Sequence, residues 1–88
     1  MYFVYIIESI RDGDFYKGST KDYVRRLEQH NSGESQFTRS KMPWRLIFVR
    51  QFDSKRVALM EEKRLKKCNK VYLQWLINQP VNILNNKI

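Results

Sequence analysis

Tyr2-Phe3-Val4-Tyr5-Ile6-Ile7-Glu8, followed by Asp12-Gly13 and then Asp14-Phe15-Tyr16-Lys17-Gly18, is the stretch that decides the fold. Its first segment is β-branched and aromatic, which reads as a strand. Asp12-Gly13 is a turn signal, and Asp14 to Gly18 reads as the returning strand. Side chains alternate along a strand, so any loop of even length puts Tyr5 and Tyr16 on one face of the hairpin. A two-residue loop at Asp12-Gly13 leaves them displaced along the strands. The favoured loop, Ser9 to Asp12, sets them directly opposite, with Cβ atoms roughly 5 Å apart.

Working outward, Ser19-Thr20-Lys21-Asp22 offers N-caps for a helix running to about Asn31, with Val24 and Leu27 as its expected core contacts. Gly33 is a stop signal, and 32–42 reads as a polar loop. Trp44 to Phe52 alternates Trp44, Leu46 and Phe48 with Arg45, Ile47 and Val49, as a third strand with one more apolar face. Asp53 or Ser54 caps a helix through about Lys67, and a further helix spans about Lys70 to Ile77. The order is β-β-α-β-α-α. It implies an α/β (α+β) domain with a small three-stranded, largely antiparallel sheet flanked by helices. The expectation is one domain over residues 1–88, with no repeats and no linker; the tail from Val81 is not assigned.

Composition narrows the function classes. A hydrophobic fraction of 42% is too high for a disordered tail. The single cysteine, Cys68, excludes an intrachain disulfide and a Cys-rich zinc site. The first residues carry no basic leader or small-residue cleavage site, and no apolar run approaches a membrane span, so the expected location is cytoplasmic, with no membrane association. The net charge of +8 is a strong positive field for a chain this short and would attract a polyanion. By charge alone, nucleic acid and a merely solvated basic surface are about equally favoured.

Three further residues suggest chemistry. Arg26 and His30 stand at i, i+4 and share a helix face. There Arg26 can grip a phosphate bidentately, although Arg25-Arg26 also fits a solvated basic face. His30, the only histidine, fits equally well as a helix-end residue bonding the last carbonyls. Ala58, Glu62 and Leu65 fall at i, i+4, i+7, which puts a carboxylate on an apolar stripe where it needs a metal, a base or an ion-pair partner such as Arg26, Lys63 or Lys66. One carboxylate with waters and substrate oxygens can hold one Mg²⁺. A strand tyrosine is by itself an ordinary sheet residue. It accepts a proton only if cations, here Lys17 or Arg26 or a metal, pull down its pKa of about 10.

Val4-Tyr5, Tyr16-Lys17-Gly18, Ser19-Thr20, Arg26, His30-Asn31, Thr38, Pro43-Trp44 and Ala58…Glu62…Leu65-Lys66 together resemble the GIY-YIG nuclease superfamily, over essentially the whole chain. The similarity is closest to small stand-alone bacterial members and to the nuclease domain of structure-specific junction endonucleases. The resemblance implies one-metal (Mg²⁺ or Mn²⁺) hydrolysis of a DNA phosphodiester, with a role in repair or recombination. Tyr5 would be general base or relay, and Tyr16 would position water or phosphate. Gly18 would leave room for substrate, and Arg26 would stabilise the transition state. His30 would assist proton transfer or phosphate binding, and Glu62 would hold the metal. Thr38 and a late asparagine, Asn78, join the substrate-binding set. Phe3 stands where the name-giving glycine would be, and Lys17 replaces an apolar residue; both are expected off the reactive face. Ser19 stands where excision-repair relatives have lysine, a role left to Lys17 or Lys21. The alternatives are a non-catalytic nucleic-acid-binding module, or an interaction domain that needs a targeting protein partner.

Overall fold

The computed structural model describes residues 1–85. Strands β1 (Tyr2–Ser9), β2 (Phe15–Thr20) and β3 (Trp44–Phe52) form one antiparallel sheet in the order β2-β1-β3. The helices are α1 (Tyr23–Asn31), α2 (Lys55–Leu65) and α3 (Lys70–Ile77). The expected architecture and element order are thus observed. The end of the unassigned tail, 86–88, lies outside the described residues.

β1 is central and buried on both faces, with Val4, Tyr5, Ile6 and Ile7 at most 2% exposed. Val4 and Ile6 pack with Phe48, Ala58 and Leu65 and with Leu73 and Leu76 of α3. Tyr5 and Ile7 pack on the other face with Trp44 and Val49, beneath Tyr23 and Leu27 of α1. The helices start where side chains satisfy free backbone donors: Asp22 accepts from Arg25 N, Ser54 from Val57 N and Asn69 from Tyr72 N. α2 stops at Leu65, two residues short of the expected end.

Three expectations need correction. Ser9 N donates to Asp14 O, so the loop is Ile10, Arg11, Asp12 and Gly13, with Gly13 at φ +80°. The loop has the expected even length but lies one residue later. Tyr5 therefore faces Gly18, and Tyr16 faces Ile7; the tyrosines share a face without being opposite. Val24 is 58% exposed, because Tyr23, Leu27 and His30 form the inward stripe of α1. β3 does not keep one alternation throughout. Ile6 pairs with Phe48 but Ile7 with Leu46, so Ile47 is an extra residue and parity inverts across it. Trp44 and Leu46 thus lie on the Tyr5 face, and Phe48 on the opposite one.

Asn82 holds this bulge from the outside. Its Oδ1 accepts from Val49 N at 3.1 Å, and its Nδ2 donates to Ile47 O at 3.0 Å and Ile77 O at 2.8 Å. The amide takes the place of a neighbouring strand at the β3 edge, and the residue is fully buried. Asn82→Ala is expected to lower unfolding free energy by about 2–3 kcal/mol, because it strands buried backbone groups. Asn82→Asp should also destabilise, since a carboxylate cannot donate to the two carbonyls. Urea titration at neutral pH measures both.

Candidate active site

Gly18 is buried on edge strand β2, directly across from Tyr5. A Cβ on Gly18 would lie 2.6 Å from Tyr5 Cζ and closer still to the hydroxyl oxygen. The hydroxyl end of the Tyr5 ring therefore occupies the space over the glycine that a side chain would fill. The glycine's expected part is to leave room for substrate; the room it leaves is occupied by Tyr5.

The Tyr5 hydroxyl is 2.9 Å from His30 Nε2, and His30 Nδ1 is 2.8 Å from Thr38 Oγ1. His30 and Thr38 are both fully buried. Thr38 is held by its own carbonyl, which accepts from Trp44 Nε1 at 2.9 Å. Trp44 is clamped in turn by Asn31, which bonds both its backbone N–H and its carbonyl. Tyr16 packs its ring edge-on against His30 at 5.1 Å and against Trp44 at 6.4 Å. The residues of this cluster come from β1, β2, α1, the following loop and β3. Among the described residues His30 bonds no helix-end carbonyl, and it is fully buried.

Glu62 approaches from the opposite face of the sheet. One stripe of α2 buries Ala58 and Leu65 in the core, and Glu62 lies on that stripe with its side chain 17% exposed. Its Oε1 accepts from Ser19 Oγ at 2.5 Å, and its Oε2 pairs with Lys66 at 2.8 Å. Ser19 follows Gly18, and alternation turns it to the α2 face. Tyr5 and Glu62 thus converge on Gly18-Ser19 from the two sides of one edge strand.

Electrostatics ties these groups together. Burial pushes the Tyr5 phenol up to about 12; the nearby Arg26 guanidinium pulls it back, while Tyr16 and Glu62 are near enough to add to the rise. Burial, helped by the Arg26 charge, pushes His30 down to about 4. Arg26 is half-buried and also donates to Gln29 Oε1 at 2.9 Å.

The remaining expectations divide. Lys17 pairs with Ile6, which puts it on the α2 face, off the Tyr16 face as expected; Lys21 is exposed beside the α1 cap. Phe3, by contrast, lies on the Tyr5 face, where its ring meets Tyr23 edge-on at 5.0 Å. Thr38 is expected to bind substrate, but its buried hydroxyl is turned to His30. Asn78 caps α3, with its side chain donating to Gln74 O. The buried late asparagine is Asn82, and its partners are the β3 edge and the end of α3. Ser19 escapes sequence reasoning as a partner of Glu62, although strand parity alone places it on that face.

Among the described residues, no three His, Cys, Asp or Glu side chains gather into a protein-built metal cage. The carboxylate of Glu62 is a hard oxygen donor at the edge of the cluster. It fits a hard divalent ion that keeps several waters and takes phosphate oxygens.

Residues 1–74 match the GIY-YIG catalytic domain family, and the chain belongs to that family. The function of such a domain is nuclease-like, its substrate is nucleic acid, and nucleases of this family generally use a divalent metal ion. Within the family the chain is similar to UPF0213 proteins. One from Streptococcus pneumoniae serotype 4 is 37% identical over 86 residues, covering 94% of this chain and 86% of the relative. Another from Halobacterium salinarum is 39% identical over 71 residues, covering 80% and 91%. The solution NMR structure of UPF0213 protein BH0048 from Bacillus halodurans superposes with a TM-score of 0.58 at 34% identity, covering 92% of this chain and 87% of that one.

Two outcomes follow from the geometry. Gly18→Ala should destabilise by about 1–3 kcal/mol through overpacking, read from the thermal midpoint, and should break the Tyr5–His30 contact in NMR spectra. His30 is protonated near 6.5 when unfolded but only near 4 when folded. The unfolded state therefore binds more protons between those values, and stability falls as pH drops through that window. The loss between pH 7 and pH 5 is about 2 kcal/mol, measured by urea unfolding; His30→Gln should flatten it.

Proposed function

We propose that this chain is a one-metal endonuclease that hydrolyses phosphodiester bonds in DNA and serves repair or recombination. The convergence of Tyr5, Arg26 and Glu62 at Gly18-Ser19 carries this reading. A Mg²⁺ or Mn²⁺ ion held by Glu62 would supply Lewis-acid stabilisation of the phosphate and acidify nearby water and phenol. Every other part falls to the chain. Arg26 stabilises the extra negative charge of the transition state from beside the Tyr5 hydroxyl. Ionised Tyr5 takes the proton of the attacking water, and Arg26 offsets the desolvation that holds its pKa high. Tyr16, packed edge-on against His30, helps to position the attacking water or the phosphate. Ser19 orients the Glu62 carboxylate. Lys17 and Lys21, near the open edge of β2, add to the field that draws in the backbone of the substrate.

One observation favours a second reading. Lys66 already neutralises Glu62, as it would in a nucleic-acid-binding module that keeps the fold without catalysis. Supercoiled plasmid and branched DNA incubated with Mg²⁺ separate the two. The nuclease nicks them, EDTA stops cleavage, and Glu62→Ala and Tyr5→Phe are inactive. Arg26→Ala should lose about 100-fold or more in rate. Equal cleavage by wild type and Glu62→Ala would overturn the assignment. Salt-sensitive binding that persists in EDTA, with no cleavage, would establish the binding module.

A further inference from the structure

We propose that the corner between α2 and α3 holds a nucleic-acid contact separate from the candidate active site. There one unpaired base of a single strand stacks on the Trp75 indole, while neighbouring phosphates meet Lys63 and Lys67. The proposal goes beyond the nuclease reading, and its test needs no turnover.

Charge distribution sets the chemistry of the ligand. No Asp or Glu follows Glu62 in the sequence, while Lys63, Arg64, Lys66, Lys67 and Lys70 crowd into the corner. Three of these are already engaged. Arg64 donates to both carboxylate oxygens of Glu61 at 2.7 Å, Lys66 pairs with Glu62, and Lys70 donates to Gly13 O at 2.7 Å. Lys63 and Lys67 are exposed, and neither has an acidic partner among the described residues. They flank Arg64, with Lys63 directly before it and the Lys67 backbone N–H bonded to Arg64 O at 3.1 Å. Two uncompensated cations beside a stretch of chain without acids attract a polyanion.

The neighbouring aromatic residues select the kind of polyanion. Trp75 is 55% exposed, yet its ring is backed on one side by Tyr72, at 5.6 Å with the planes 35° apart. Tyr72 is held in turn by Arg64, whose guanidinium lies 5.5 Å from the ring centroid and donates to the hydroxyl at 3.3 Å. Glu61, Arg64, Tyr72 and Trp75 thus form one supported row with a large flat ring at its open end. Stacking on such a ring takes a base that is not already sandwiched in a duplex. A single strand alternates phosphates with accessible base faces, so it satisfies the lysines and the indole together. A second copy of the chain would instead bring its own net charge of +8 against the same surface. Trp75 lies just beyond residues 1–74, which match the family, and the arginine of the row binds Glu61 and not Glu62.

The chain has two tryptophans and Trp44 is buried, so acrylamide quenching of the full chain reads Trp75. In EDTA, a thymidine oligonucleotide of about 12 nucleotides should bind, change the Trp75 emission and shield it from acrylamide. Trp75→Ala should bind the oligonucleotide about 10-fold more weakly, and Trp75→Phe should recover most of that loss. Replacing Lys63 and Lys67 together by alanine should lower the slope of log affinity against log salt by about 1.4. Equal affinity of wild type and Trp75→Ala would overturn the proposal, as would equal shielding of Trp75 by a duplex or by poly-glutamate. A concentration-dependent dimer that Trp75→Ala abolishes would overturn it too, by assigning the indole to a protein interface. A chain that never cuts DNA but shows this binding would refute the nuclease reading and leave the contact standing; normal cleavage with no oligonucleotide effect on Trp75 would do the reverse.

Discussion

The contact of the Tyr5 ring with the bare backbone of Gly18 is the constraint on which the site depends. With Cζ only 2.6 Å from where a Cβ would be, no other residue fits without moving the ring. The ring position fixes where the hydroxyl emerges, and the hydroxyl fixes what His30 must do. His30 can reach it only from the inward stripe of α1, and Thr38 can reach His30 only if the loop after α1 folds back under Trp44. A hairpin register slipped by one residue would turn Tyr5 to the other face and dissolve the chain of contacts.

Burial then sets the protonation states. The same desolvation that pushes His30 down to about 4 pushes Tyr5 up to about 12, so burial favours the neutral form of both around pH 7. Arg26 opposes the effect at Tyr5 and adds to it at His30. The carboxylate on the far side of β2 is handled differently. Glu62 remains near the surface, where Ser19 and Lys66 each hold one of its oxygens. A surface i, i+4 pair of this kind contributes little and is readily exchanged. Glu62 therefore has an occupant that a stronger cation can displace, whereas Tyr5 has partners that stay.

Local patterns are legible in the sequence and long-range bonds are not. Alternation places Tyr5 and Tyr16 on one face, and helical period places Glu62 with Ala58 and Leu65, because each depends on a few neighbouring residues. The hairpin register escapes because Ser9 organises the turn, accepting from Arg11 N and Asp12 N and donating to Lys41 O, far along the chain. The β3 bulge escapes because its edge partner, Asn82, lies more than thirty residues away. Thr38 enters the candidate site only through the family resemblance; its burial and its hydrogen bond to His30 are visible only in the structure.

The two outer edges of the sheet show why the site is where it is. An open strand edge invites unwanted pairing and has to be managed. At β3 the Asn82 amide satisfies Ile47 O and Val49 N, so that edge is closed by the protein's own chain. β2 has no strand beyond it among the described residues. Its Gly18-Ser19 segment is instead where Tyr5 arrives from one face and Glu62 from the other. A narrow edge strand is the one place in a three-layer fold where groups from both helical layers can meet without a cavity in the core. In the proposed nuclease reading, a polyanion lying along that edge would meet the half-buried Arg26 and the partly exposed Glu62 while the hydrophobic layers behind them stay intact. The net charge of +8 favours such an approach. The small size of the domain is therefore compatible with the proposed site, whose partly exposed members, Glu62 and Arg26, stand at the rim of a packed interior.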